Sequence, residues 1–137
     1  MQKTFSILKP DTVAAGKTGA VLSELERAGF RIRAMKMLHL TEAQAQGFYH
    51  VHKDRPFFGS LVKFMTEGPI VAMVLEADNA IDRLRKTMGP TDPAKADAGT
   101  IRKQFGTNIE RNAIHGSDAL ETAAFEISYF FNQLEVV

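Results

Sequence analysis

Polar and apolar residues alternate from Thr4 to Leu8, with Phe5 and Ile7 opposing Thr4 and Ser6, which predicts a half-buried strand stopped by Pro10. From Thr18 the apolar positions Val21, Leu22, Leu25 and Ala28 follow helical spacing, and Gly29 stands where a left-handed C-terminal cap belongs. Arg31 to Leu40 reads as a second strand, its alternation changing phase around Met35 and Lys36 as a β-bulge would make it. Thr41 and Gln44 have the spacing of a capping box that starts a helix toward Tyr49. Pro56 opens a further helical stretch through Phe64, closed by Gly68 and Pro69. Ile70 to Leu75 is uninterrupted apolar sequence, as expected of a central strand covered on both faces. Ile81, Leu84 and Met88 mark a helix that ends at Gly89.

Between Gly89 and Gly116 the pattern breaks down, with Pro90, Pro93, Gly99 and Gly106 interrupting short helical fragments. A long irregular segment inside a small domain is usually functional. After it, Ala123, Ala124, Ile127, Phe130 and Phe131 form a helical apolar stripe. If Ala113 to Gly116 supplies a fourth strand, the order of elements gives an α+β fold, a ferredoxin-like α/β sandwich with a four-stranded antiparallel sheet covered by helices. No repeat or linker divides the chain, so residues 1–137 are expected to form a single domain.

Composition narrows the function classes. A chain of 137 residues buries about two thirds of its unfolded surface, enough for one core. Its 45% hydrophobic and 24% charged residues are ordinary for a globular protein. Seventeen Lys and Arg against sixteen Asp and Glu give a net charge of +1, so no global field points to duplex nucleic acid or an anionic membrane, and any anion site must be local. Without cysteine there is no disulfide framework, thiolate nucleophile or Cys-ligated zinc. Met1 to Pro10 lacks the cationic and apolar regions of a signal peptide, and no apolar run is long enough to span a bilayer, which makes a cytoplasmic location the expectation.

Gly16-Lys17-Thr18 imitates the end of a phosphate-binding P-loop, but the glycine required five positions earlier is Asp11, and a cradle of backbone amides depends on both glycines. Lys17 therefore reads as a solvated residue at a helix start. Of the four histidines, His39 reads as a half-buried, hydrogen-bonded strand residue. His50 and His52 are two apart, which faces them in different directions on a helix, and no carboxylate supports a metal pair. His115 differs by its surroundings, Asn112-Ala113-Ile114-His115-Gly116-Ser117-Asp118. Glycine permits close approach, and Ser117 and Asp118 are candidate caps for the turn that follows. A free imidazole titrates near ~6.5, so much of it is neutral and nucleophilic near neutral pH. On residues alone, a phosphoryl-accepting histidine and a structural turn histidine both remain open.

The segment from Asn112 to Asp118 resembles the active-site signature of the nucleoside diphosphate kinase family. Lys9-Pro10-Asp11, Arg55-Pro56-Phe57-Phe58 and Gly99-Thr100-Ile101-Arg102 are similar to three further motifs of that family, in the right order, so the resemblance spans essentially the whole chain. It implies a ping-pong reaction that maintains nucleoside triphosphate pools: a triphosphate phosphorylates His115, as a pros-phosphohistidine, and the phosphate then passes to a different nucleoside diphosphate. Phosphoryl transfer needs in-line positioning and electrostatic stabilisation, so arginine forks and Mg2+ are the expected apparatus, the ion held mainly by nucleotide phosphates rather than by protein side chains.

By the same resemblance Arg85 and Arg102 bind phosphate, Lys9 reaches phosphates and sugar, Thr91 donates to phosphate and Asn112 contacts ribose. Phe57 matches the aromatic that stacks on the base, leaving Phe58 to the core; stacking alone tolerates every base. Tyr49 and Glu126 match residues that flank and orient the histidine. A continuous helix from Ser117 would carry Glu126 about 13 Å away, so the chain must turn between them, with Thr122 as a candidate cap of a new helix that has Glu126 near its start. Whether Glu126 holds the ring directly or through Ser117 is open at this level. Ala98 departs from the family's proline before Gly-Thr-Ile-Arg, which loosens that segment. The end at Val137 is similar to bacterial members and leaves dimer, tetramer and hexamer open, while apolar helix faces favour some homo-oligomer.

Two other classes compete. A single-stranded RNA-binding module also uses a ferredoxin-like sheet, but the aromatic-rich strand motif and basic charge of such domains are missing. A phosphocarrier would keep the histidine chemistry and change the acceptor to a protein.

Overall fold

A computed structural model describes residues 1–137. Strands β1 (Gln2–Leu8), β2 (Arg31–Leu38), β3 (Ile70–Ala77) and β4 (Ile114–Gly116) form one sheet in the order β2-β3-β1-β4, with every neighbouring pair antiparallel. The helices are α1 (Pro10–Ala14), α2 (Thr18–Arg27), α3 (Glu42–Phe48), α4 (Phe58–Met65), α5 (Ala80–Met88), α6 (Ile101–Phe105) and α7 (Leu120–Phe130). This is the ferredoxin-like α+β sandwich that the order of apolar segments predicts.

The sheet separates two apolar clusters. Phe5, Ile7, Ala72 and Val74 pack with Phe48, Val62, Met65 and Phe130 from α3, α4 and α7. Leu8, Val71, Met73 and Leu75 pack with Leu25, Leu84 and Ile101 from α2, α5 and α6. Both faces are therefore covered, and no sheet face is left open for single-stranded RNA. The same covering corrects the half-buried reading of β1. Thr4 and Ser6 are as inaccessible as Phe5 and Ile7, because β1 lies between two strands and beneath helices on either side.

Several local signals appear in the fold as read. Thr41 and Gln44 exchange both bonds of a capping box, and Gly29 adopts φ +96° just past α2. Lys17 is exposed at the start of α2. The bulge in β2 sits at Arg33, between the Ile32 and Ala34 pairings, two residues before the predicted phase change. Met35 and Met37 mislead the pattern: they are apolar but exposed on an edge strand. His39 lies just beyond β2 and is exposed rather than half-buried, with Nε2 2.6 Å from the Thr66 carbonyl. In α7, Ala123 and Phe130 are buried, whereas Ala124 faces solvent.

Candidate active site

The strand ends create the site. β1 ends at Leu8, and Lys9 caps α1, where Pro10 occupies the first turn and costs no intrahelical bond. β4 pairs with β1 through Ile114 with Leu8, His115 with Ile7 and Gly116 with Ser6, which brings His115 beside the Lys9 turn. α5 packs across β4 so closely that a Cβ on Gly116 would stand 2.8 Å from Leu84 Cδ2 and 3.0 Å from the Met88 thioether. Gly116 thus lets α5 come close to the strand that carries His115.

His115 Nε2 lies 2.9 Å from Glu126 Oε1, and Ser117 Oγ donates to the same oxygen at 2.6 Å. Of the two routes left open in the sequence, the direct one is present; Ser117 bonds the carboxylate rather than the ring and so steadies Glu126 instead of relaying it. A carboxylate oxygen only accepts, so the network assigns the ring proton to Nε2 and leaves the Nδ1 lone pair unengaged. The required break between Ser117 and Glu126 exists, but Thr122 does not cap the helix. Ala119, in extended conformation, takes the cap position. Thr122 Oγ1 accepts from the Ala119 amide and donates to Asp118 Oδ1. Glu126 consequently sits in the second turn of α7 rather than near its start. The far end of that helix is tied to the sheet, since Lys36 Nζ donates to the Phe130 carbonyl at 2.8 Å.

A cleft of about 1120 Å³ opens in front of His115. It gathers Lys9, Phe57, Arg85, Thr91, Arg102 and Asn112, every residue expected to bind nucleotide, from five separate parts of the chain. Ser117, Glu126 and Tyr49 lie outside its lining, behind the histidine. Lys9 is buried, with Nζ donating to Asn112 Oδ1 at 2.7 Å, while Asn112 Nδ2 donates to the carbonyls of Thr91 and Ile109. Burial, and then the charge of Arg102, bring the Lys9 ammonium down to about 8. Arg102 spans the cleft floor, donating to the carbonyls of Gly89 and Ile114. Burial and the neighbouring Arg85 lower its guanidinium to about 10, still charged at neutral pH. None of the ion pairs in the structure includes Lys9, Arg85 or Arg102. Their combined charge is left for a polyanion.

At the cleft mouth Phe57 is 46% exposed, its ring 5.5 Å from that of His52, whereas Phe58 is partly buried against the core. An exposed phenyl at the edge of a cationic cleft can stack on a base while the phosphates run inward. Tyr49 is buried, and its hydroxyl has no hydrogen-bond partner; burial and the Glu126 charge push the phenol above its ordinary range. Two aromatics pack edge-on to His115, Phe48 at 5.6 Å and Phe5 at 6.3 Å, contacts that no local pattern announces. Ile109, 62% exposed on the cleft wall, is likewise silent in the sequence. No group of three His, Cys, Asp or Glu side chains is placed to hold a metal ion. No helix is long and apolar enough to cross a membrane.

Comparison with known proteins agrees with this geometry. The family model described as nucleoside diphosphate kinase matches residues 2–136. The nucleoside diphosphate kinase of Nitratidesulfovibrio vulgaris (strain DP4) is 58% identical over 137 residues, covering 100% of this chain and 99% of the relative. That of Geotalea uraniireducens is 57% identical, with 100% of both chains covered. Among solved structures, the Aquifex aeolicus nucleoside diphosphate kinase superposes with a TM-score of 0.97 at 46% identity, covering 99% of each chain. A halophilic nucleoside diphosphate kinase from Halobacterium salinarum, solved in complex with CDP, gives 0.95 at 39% identity, covering 99% of this chain and 91% of that one. The chain belongs to the nucleoside diphosphate kinase family, enzymes that transfer phosphate between nucleotides.

Proposed function

We propose that this enzyme works by a ping-pong mechanism in which Nδ1 of His115 takes the terminal phosphoryl group of a nucleoside triphosphate and returns it to a different nucleoside diphosphate. One observation carries the reading: Nε2 is engaged by Glu126, so the free ring lone pair belongs to a histidine lining a cleft of unpaired cations. Attack by Nδ1 forms the N–P bond as the bond to the departing diphosphate breaks. The ring then carries positive charge, which the Glu126 carboxylate stabilises through the Nε2 proton it already holds. Lys9, Arg85 and Arg102 offset phosphate charge, Thr91 is a neutral donor near phosphate, and Asn112, whose Nδ2 is committed to the Thr91 and Ile109 carbonyls, meets the sugar through Oδ1, the acceptor it shares with Lys9. Tyr49 closes the apolar wall behind the Glu126 pair.

The donor set fits Mg2+ that arrives on the nucleotide phosphates: no protein cage converges, and Asp118, exposed on the cleft beside His115, can accept hydrogen bonds from the ion's water shell. When bound, the ion neutralises charge on the phosphates. Stacking on Phe57 without base readout suits an enzyme that balances nucleoside triphosphate pools in the cytoplasm. A homo-oligomer is supported by the outer edge of β2, which is unpaired and exposes Met35 and Met37. Sedimentation of the purified protein as a monomer would contradict that part.

The reaction is tested by incubating the protein with magnesium and γ-labelled ATP, then adding GDP. Acid-labile label is expected on the wild type, discharged by GDP, and none on His115→Gln. Label that GDP cannot remove would indicate a phosphocarrier instead, and an unlabelled wild type would overturn the phosphohistidine.

A further inference from the structure

Ala113, two residues before His115, is held at φ +76°, a conformation that L-residues other than Asn and Asp rarely adopt. The Ile114 amide bonds back to the Asn112 carbonyl at 2.9 Å, so Ala113 is the centre of a γ-turn of the strained kind. Such a conformation persists only where the surroundings over-determine it. Here one segment does so. The Ala113 amide donates to Asp11 Oδ2 at 3.0 Å, while its carbonyl accepts from the Lys9 amide and from Thr12 Oγ1, both at 2.9 Å. Thr12 is buried, and the other Asp11 oxygen is buried without a partner, so the carboxylate's side-chain bonding is spent on this turn.

The turn matters because β4 has only three residues and begins directly after it. So short a strand has few ladder bonds to define its own register, and a slip of one residue would send the His115 ring to the opposite face of the sheet. We infer that Asp11 is a positioning residue for the reaction: by holding the Ala113 γ-turn it sets the register of β4 and thereby the aim of His115. The inference rests on the phosphohistidine reading for its kinetic consequence, though not for the structural one.

Rapid-quench phosphorylation by saturating Mg2+ and γ-labelled ATP is measured for wild type, Asp11→Asn, Asp11→Ala, Ala113→Gly and the Asp11→Ala/Ala113→Gly pair. The His115 ring signals are read by NMR on the same proteins. Misplacing a reacting group by about 1 Å costs on the order of 100-fold, so Asp11→Ala is expected to slow labelling by roughly 10- to 100-fold and to shift the ring signals, with nucleotide affinity little changed. Asp11→Asn keeps an acceptor for the Ala113 amide and should stay near wild type. Glycine takes positive φ without strain, so Ala113→Gly should restore both rate and ring signals to the Asp11→Ala protein. If Asp11→Ala alone does not fold, the pair still should. Failure of the glycine to rescue, or an Asp11→Asn protein as slow as Asp11→Ala, overturns the inference. An unlabelled wild type defeats the phosphohistidine reading instead, and the ring signals then decide the positioning role by themselves.

Discussion

Replacing Glu126 by Gln tests how the histidine is activated. The substitution keeps an oxygen where Oε1 accepts from His115 Nε2 at 2.9 Å and from Ser117 Oγ at 2.6 Å, but removes the charge. Hydrogen bonds to a charged partner contribute ~1.5–3 kcal/mol, and the charged form of this one matters most when the ring becomes cationic. At about 1.36 kcal/mol per decade of rate, His115 phosphorylation should slow by roughly 10- to 150-fold. Glu126 does not line the cleft, so KM should stay within about threefold, the signature of a bond that strengthens only in the transition state. Ser117→Ala leaves the carboxylate in place and should cost less than Glu126→Gln. Single-turnover labelling with γ-labelled ATP separates the rate from binding. A Glu126→Gln enzyme within about twofold of wild-type rate would refute the idea that the carboxylate supports the ring charge.

Phe57→Ala should weaken nucleotide binding by roughly 5- to 150-fold, from ~1–3 kcal/mol of stacking, and equally for purines and pyrimidines by calorimetry; a loss confined to one base class would contradict stacking without readout. Lys9, brought down to about 8, binds fewer protons in the folded than in the unfolded chain between there and 10.5, so stability to urea should rise with pH across that window. Phosphate affinity should run the other way, with the nucleoside diphosphate KM climbing as pH passes about 8 and the climb abolished in Lys9→Met; a KM independent of pH there would exclude Lys9 as the phosphate cation. Gly116→Ala should lower stability by ~1–3 kcal/mol through overpacking against Leu84 and Met88, read from urea unfolding, and an unchanged midpoint would show that α5 can yield.

What could be read in the sequence was local. The buried apolar run from Ile70 to Leu75 in β3, the Thr41–Gln44 box and the Gly29 cap each follow from spacing within a few residues. Burial of Thr4 and Ser6 does not, because it depends on helices arriving from distant parts of the chain. The site divides the same way. His115 was visible as one of two readings, a candidate nucleophile or a turn histidine beside a glycine, and the length of a helix demanded a break before Glu126. Lys9 meets Asn112 across 103 positions of sequence, and only a family resemblance joined them in advance. Asp11 stood beside Lys9 in the same motif without a visible task, because its partner is a backbone amide in a turn that an alanine, not a glycine, occupies.

The identity of the phosphorylated nitrogen tests the account most directly. With ¹⁵N-labelled histidine and a magnesium nucleoside triphosphate, NMR should show phosphorus coupled to Nδ1 of His115 alone, with the Nε2 proton retained toward Glu126 and the phosphorus signal lost on adding a nucleoside diphosphate. Phosphorus on Nε2, or on any histidine other than His115, would contradict it.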